Sequence, residues 1–296
     1  MAFGRPTGDF ARQDASFADM DMFRVQPRKG DAGRTIVDTG WMEPRRLLAA
    51  KGVRRVRARY PRNLGELHQS VVFGILVQLS KIHQADRKVL TGRLPGHSDV
   101  CEYEVMELTT TFGSILKSAR MSKSPKAYDR LREVLRDLSL IQVEYEVMEG
   151  NSLRLMQGES LFRYSIDMDG EPEAREFRMW VSERLSEVFF RVGPEYVAVS
   201  MDERARLSGD VQRLLYGLLC FKTGASRTDR LTFSVDRLVE RLYPSLPSTP
   251  KERICRRRDV REAAEAVIAL GGERVKAAWS DEGRRYLTVE DVRWEA

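Results

Sequence analysis

Cysteine and histidine are scarce in this chain, three of each in 296 residues. Cys101, Cys220 and Cys255 lie far apart and form no Cys-x-x-Cys pair, which excludes a zinc ribbon and a disulfide framework and suits a reducing compartment. They read as small, buried or half-buried apolar residues. His68, His83 and His97 stand about 15 residues apart, so they share no metal and make no His-hydrophobe-His pair of the kind a rolling-circle nickase needs. Each reads as a surface or capping residue. Long hydrophobic runs are missing too. The longest, Val71 to Leu79, is broken by Gln78 and falls far short of the roughly 20 residues of a membrane-spanning helix. The opening Met-Ala-Phe-Gly-Arg-Pro carries no apolar signal region, so the expected location is the cytoplasm.

Catalytic patterns are also lacking. Gly113-Ser-Ile-Leu-Lys-Ser118 has neither the second glycine nor the spacing of a phosphate-binding loop. No pair of carboxylates is isolated among apolar neighbours, as general acid and base groups would be. The expectation is a protein without catalytic residues, metal or cofactor, whose work is binding.

Charge is what the chain does have, and it is uneven. Residues 1–60 hold 13 Lys and Arg against 7 Asp and Glu, which accounts for the whole net charge of +6. From Arg45 to Arg62 there are eight basic residues (Arg45, Arg46, Lys51, Arg54, Arg55, Arg57, Arg59, Arg62) and no acidic one. From Lys251 to Arg261 there are six (Lys251, Arg253, Arg256, Arg257, Arg258, Arg261) against Glu252 and Asp259. Clustered arginine on a balanced chain is the footprint of a protein that meets a polyanion, with a solvated charged face as the plain alternative.

The first 40 residues show no sustained period and read as flexible, and Trp41 to Tyr60 reads as a basic arm. Leu64, Leu67, Val71, Val72, Ile75, Leu76 and Leu79 recur at three- and four-residue steps and predict an amphipathic core helix. After a Gly/Pro break at Gly92 to Gly96, a short helix is expected through Val105, Met106, Leu108 and Phe112. Ser124-Pro-Lys then opens a helix with Tyr128, Leu131, Val134, Leu135 and Leu138 on one face. Ile141 to Val147 and Leu161 to Met168 read as a hairpin behind it. Three helices followed by a hairpin make a winged helix.

Beyond the linker Asp169-Gly-Glu-Pro-Glu, the second half repeats the plan. Strands are predicted at Tyr196 to Ser200 and Leu231 to Ser234, helices at Val211 to Phe221 and Val235 to Leu242, and a long helix from Thr249-Pro-Lys to about Leu270, closed by Gly271-Gly272. A hairpin over Arg274 to Trp279 and Arg285 to Val289 ends it, turned by Ser280-Asp-Glu-Gly. The expected fold is therefore α+β and mainly α. It has a flexible basic N-terminal extension (1–60) and two tandem winged-helix domains (61–170 and 171–296) related by pseudo-duplication.

In a winged helix the third helix enters the major groove and the hairpin reaches backbone or minor groove. Taking Val260, Ala264 and Val267 as the inward face of the long helix, Arg258 and Arg261 point outward and are the candidates for base edges. Lys251, Arg253, Arg256 and Arg257 are candidates for phosphate, beside a helix N-terminus that favours it. The corresponding candidates of the first half are Lys123, Lys126, Arg132 and Arg136. Arg54, Arg55, Arg57 and Arg59 of the arm, with Arg284 and Arg285 of the second hairpin, complete the set. For any single arginine, a surface ion pair with a residue such as Glu262 or Glu265 is the alternative.

The run from Val199 to Cys220, which begins Val199-Ser-Met-Asp-Glu, and the later Arg256-Arg-Arg-Asp-Val-Arg-Glu-Ala with Ala269-Leu-Gly, resemble the replication protein C of IncQ-type plasmids. More loosely they resemble the two-winged-helix initiators of other iteron plasmids. The resemblance runs from Val197 to Gly271 and, by pattern, over Thr109 to Val143. It leaves out the first 60 residues. Arg256, Arg257, Val260, Arg261 and Glu262 carry over, whereas Cys255 and Asp259 stand where the family pattern would have basic residues. The resemblance implies an origin-binding initiator that recognises directly repeated iterons in double-stranded DNA and helps open the neighbouring duplex. It also implies separate helicase and primase partners, with monomer and homodimer both open. A winged-helix transcriptional regulator on a promoter operator is the alternative, and the symmetry of the DNA site separates the two.

Overall fold

The structure is a computed structural model. It describes residues 10–14, 22–25, 36–40, 42–43, 53–61, 64–79, 87–92, 101–149, 152–160, 162–167, 169–181, 196–225, 230–272 and 274–291. In chain order the elements are β1 (Phe10–Asp14), β2 (Ile36–Asp38), β3 (Val53–Pro61), α1 (Glu66–Leu79), β4 (Arg87–Gly92), β5 (Cys101–Thr111), α2 (Phe112–Ser118), α3 (Pro125–Ser139), β6 (Gln142–Glu149), β7 (Ser152–Ser160), β8 (Phe162–Ile166) and β9 (Glu176–Val181). There follow β10 (Tyr196–Ser200), α4 (Met201–Ala205), α5 (Asp210–Ala225), β11 (Arg230–Ser234), α6 (Val235–Leu242), α7 (Pro250–Ala269), β12 (Val275–Trp279) and β13 (Tyr286–Asp291). They divide into two compact units, one of residues Ala32–Glu195 and one that joins Met1–Asp31 to Tyr196–Ala296.

In the 32–195 unit α1 is the centre. Every residue from Gln69 to Val77 is buried, so the helix is covered all round rather than on the single face that its spacing predicts. A Cβ on Gly74 would lie 2.9 Å from the Cβ of Ala119 and from the carbonyl oxygen of Ile115, so glycine is what lets α1 and α2 approach. Thr111 caps α2 by accepting from the Ser114 N–H at 3.2 Å. Ser124 caps α3, Pro125 opens it, and Tyr128, Leu131, Val134, Leu135 and Leu138 are its buried face, as the sequence predicts.

The strands of this unit form two sheets, ordered β4-β5-β9-β8 and β2-β3-β6-β7. Three expectations change here. Residues 101–111 are strand rather than short helix, and the helix starts only at Phe112. The segments read as one hairpin are not partners: β6 pairs with β7 and with β3, while β8 pairs with β9. Asp169-Gly-Glu-Pro-Glu is consequently no domain linker. It lies in the loop between the paired strands β8 and β9, where Gly170 takes φ +79°, and the unit boundary falls at Glu195–Tyr196.

The other unit is built on α5, buried from Leu214 to Phe221, against which α6, α7 and the sheet β11-β13-β12 pack. Leu238 and Leu242, then Val260, Ala263, Ala264 and Val267, then Leu287 and Val289 complete its core. A buried carboxylate organises the polar interior. Glu203 accepts from the Tyr216 hydroxyl at 2.8 Å and from the Arg274 backbone N–H at 3.0 Å. Burial first, then Cys220 and Glu203 beside it, push the Tyr216 phenol far above its ordinary value.

The expectation of a flexible N-terminal extension fails at the described residues. Strand β1 runs antiparallel to β10, from Phe10 opposite Ser200 to Asp14 opposite Tyr196. Met22 is buried, the Val25 N–H donates to the Leu242 carbonyl at 2.7 Å, and the Arg24 guanidinium donates to the Tyr243 carbonyl at 3.0 Å. The supposed arm contains β2 and β3, which belong to the other unit.

Both units share one element order. In the first it is α1, β5, α2, α3, β8, β9, with β4 inserted after α1 and β6 and β7 after α3; in the second it is α5, β11, α6, α7, β12, β13. The strand orders β5-β9-β8 and β11-β13-β12 correspond, and in this shared order α3 and α7 are each the third helix.

Candidate nucleic-acid interface

The third helix of the second unit is set by its first turn. Thr249 accepts from the Glu252 N–H at 3.1 Å, and the Glu252 carboxylate reaches back to the Ser248 N–H (2.7 Å) and hydroxyl (2.8 Å). Those two bonds, with Arg256 beside them, hold the Glu252 carboxyl below the usual carboxylate range. The helix then turns Val260, Ala263, Ala264 and Val267 inward, as expected.

The same turn of phase divides the basic residues. Arg256 points back into the unit, only 11% exposed, and donates to the Ser245 carbonyl and to Glu252 while its guanidinium sits 4.7 Å over the Tyr243 ring. The Tyr243 hydroxyl in turn donates to Asp259 at 3.4 Å, and burial, with Asp259 second, pushes that phenol up to about 12. Arg257 forms a two-pronged pair with Asp236 at the start of α6, both bonds at 2.6 Å. These two arginines, candidates for phosphate in the sequence, hold the α6–α7 corner together.

Lys251, Arg253 and Arg258 remain outward and exposed. Arg258 lies 3.5 Å from Asp259 and 3.7 Å from Glu262, with its side chain 65% exposed. Such surface pairs contribute little and are readily exchanged for a stronger anion. Arg261 is half-buried and donates to the Arg284 carbonyl at 3.3 Å. Arg284, at φ +50° in the turn between β12 and β13, pairs with Glu265 at 2.8 Å, and Trp279 donates to the same carboxylate at 2.9 Å. Arg285 pairs with Asp281 at 3.0 Å within the turn. Together they seat the hairpin against the outer flank of α7.

In the 32–195 unit the candidates are more mixed. Lys126 and Arg136 are exposed on α3, Arg132 lies 4.0 Å from Asp129, and Lys123 pairs with Glu173 in the β8–β9 loop. The β3 arginines are not an arm. Val56, Ala58 and Tyr60 point into the core, and the alternating Arg55, Arg57 and Arg59 face the acids of neighbouring strands. Arg55 meets Glu146 at 2.8 Å, Arg57 pairs with Asp38 and lies 3.6 Å from Glu144, and Arg59 meets Glu144 at 3.2 Å and Asp38 at 3.5 Å. The Arg57 hydrogen bond holds the Asp38 carboxyl well below the usual range. Arg54 stands apart and exposed at the bulge between Val53 and Arg55. The strand was legible in the alternation Val-Arg-Ala-Arg-Tyr, which its charge obscured. Arg45, Arg46, Lys51 and Arg62 lie outside the described residues.

Of the histidines, His68 is described and does cap: its Nδ1 accepts from the Gly65 N–H at 3.2 Å at the start of α1, and its Nε2 faces Asp137 at 3.4 Å. His83 and His97 lie outside the described residues. Cys220 is buried and Cys255 half-buried, both as free thiols. Among the described residues no group of three or more His, Cys, Asp or Glu could hold a metal ion, and no helix is long and apolar enough to cross a membrane.

The fold is similar to that of domains 2 and 3 of RctB. One crystal structure of those domains matches with a TM-score of 0.53 at 11% identity, over 95% of this chain and 99% of that one. A second matches with a TM-score of 0.51 at 11% identity, over 93% and 96%. The Pi initiator protein in complex with iteron DNA is also similar, with a TM-score of 0.46 at 16% identity over 79% and 93%. No protein-family model matches the chain, and no curated protein does. At these identities the likeness is one of fold.

Proposed function

We propose that the chain is a replication initiator that binds directly repeated iteron DNA with its two winged-helix units, which descend from a duplication, and promotes opening of the neighbouring duplex. Binding rather than catalysis is its role, in the cytoplasm, with helicase and primase supplied by other proteins. The observation that carries this reading is the outer face of α7. On a helix whose inner arginines are engaged in the fold, Lys251 and Arg253 are left exposed in the first turn, where the helix dipole favours phosphate, and Arg258 is left exposed two turns further on. Arg261 and the hairpin tip flank that face. The α3 face, through Lys126 and Arg136, adds a second contact with duplex DNA. If the two third helices meet successive major grooves, the site spans about 20 base pairs, with groove centres roughly 34 Å apart.

Footprinting of the purified protein on DNA flanking its own gene tests this. Protection of several direct repeats is the expected result. A single protected palindrome at a promoter would replace the reading with that of a dimeric transcriptional regulator, because protein symmetry is mirrored in the site.

A further inference from the structure

Among the described residues five large hydrophobic side chains are exposed, and Ile254 of α7 is 66% exposed. Nothing among the described residues of the unit explains it. A β-branched residue on a solvated helix face is less favourable than alanine, and its exposure leaves little packing to offset that. Its neighbours on the helix surface are Lys251, three residues before, and Arg258, four residues after, both exposed and basic. Around the helix it lies roughly 120° from Val260, on the side away from the core. An aliphatic side chain thus sits in a frame of cations. A protein partner drawn to this surface would need acidic groups around one apolar pocket. The DNA major groove offers the same combination without further assumption: phosphates on both rims and, on its floor, one apolar group, the 5-methyl of thymine.

We propose that Ile254 is a specificity-determining residue that contacts a thymine methyl while Lys251 and Arg258 bind the flanking DNA. The inference rests on the DNA-binding reading of α7. It also separates the two third helices, because four residues after Pro125, the place that Ile254 takes after Pro250, α3 carries the exposed acid Asp129. Methyl reading therefore belongs to the half of the site that α7 meets.

The test uses the full chain and duplexes it enriches from a random 25-base-pair library. In the best duplex each thymine is replaced in turn by deoxyuracil, which removes the methyl and leaves pairing intact. Wild-type protein should lose about fourfold in affinity at one position, the value of one buried methyl-sized group. Ile254→Ala, which removes an exposed side chain and should leave thermal unfolding unchanged, should bind the thymine and deoxyuracil duplexes equally. Enrichment of a duplex whose affinity is indifferent to every deoxyuracil would overturn the Ile254 assignment and leave DNA binding standing. So would an Ile254→Ala protein that keeps the wild-type sensitivity. Failure to enrich any duplex would remove the DNA-binding reading itself, and this inference with it.

Discussion

Arg256 and Arg258 are two residues apart and chemically identical, yet about 200° of helix rotation gives them different neighbours. Arg256 is packed over Tyr243 and bonded to Ser245 and Glu252, whereas Arg258 is open to solvent beside weakly placed acids. Arg256→Ala is expected to cost about 1 to 3 kcal/mol of folding stability, read as a lowered denaturation midpoint. Arg258→Ala should leave that midpoint unchanged and cost about 1 to 3 kcal/mol of DNA affinity in a titration. Exchange of the two phenotypes would reverse the division of the helix. His68 gives a second expectation. Burial pushes its pKa below the ordinary value and Asp137 only partly restores it, while Nδ1 is engaged as an acceptor from Gly65. The unfolded chain therefore takes up the proton first, and stability should fall as the pH drops through about 6.5. His68→Gln should flatten that slope below about pH 6.5 in pH-dependent denaturation.

At the scale of elements, α3 and α7 were legible because their signals are local: a capping hydroxyl, a proline in the first turn and a period of 3.6 within 20 residues. Strand β5 was misread because Val105, Met106, Leu108 and Phe112 satisfy helical spacing as well, although Thr109-Thr110-Thr111 favours a strand. The two-sheet arrangement of the 32–195 unit was hidden because β6 chooses β3, some 80 residues earlier, as its second partner. Of the candidate interface, the helix and its phase could be read, but which arginines are free could not. That depended on Asp236, Tyr243 and Ser245, which only folding brings to them. Gly74 makes the close passage of α1 and α2 testable. Gly74→Ala would place a methyl against backbone as well as Ala119, and despite the better helix propensity of alanine it should destabilise by about 1 to 3 kcal/mol in chemical denaturation.

For the whole molecule, net charge is a poor guide to affinity, since the β3 arginines that contribute to the excess are largely matched by Asp38, Glu144 and Glu146. Phosphate contacts by the exposed cations of α7 and α3 should still make DNA affinity fall steeply with salt, with a log–log slope of several units. A slope near zero between about 50 and 200 mM would contradict electrostatic docking. The pairing of β1 with β10 predicts that deletion of residues 1–25 will lower the stability of the 196–296 region while 32–195 keeps its protection, as hydrogen exchange can resolve by segment. An unchanged exchange pattern would contradict the pairing.

That pairing also bears on synthesis. Residues 10–25 leave the ribosome before residues 32–195, yet they are a structural part of the unit completed after them. The intervening residues 32–195 hold a unit of their own and can fold while translation continues. At about 5 to 20 residues per second, residues 10–25 wait roughly 10 to 50 s before their partner strand and its core are all available. During that interval Met22 has no native cover, so this stretch is where a nascent-chain chaperone or a protease would find the chain.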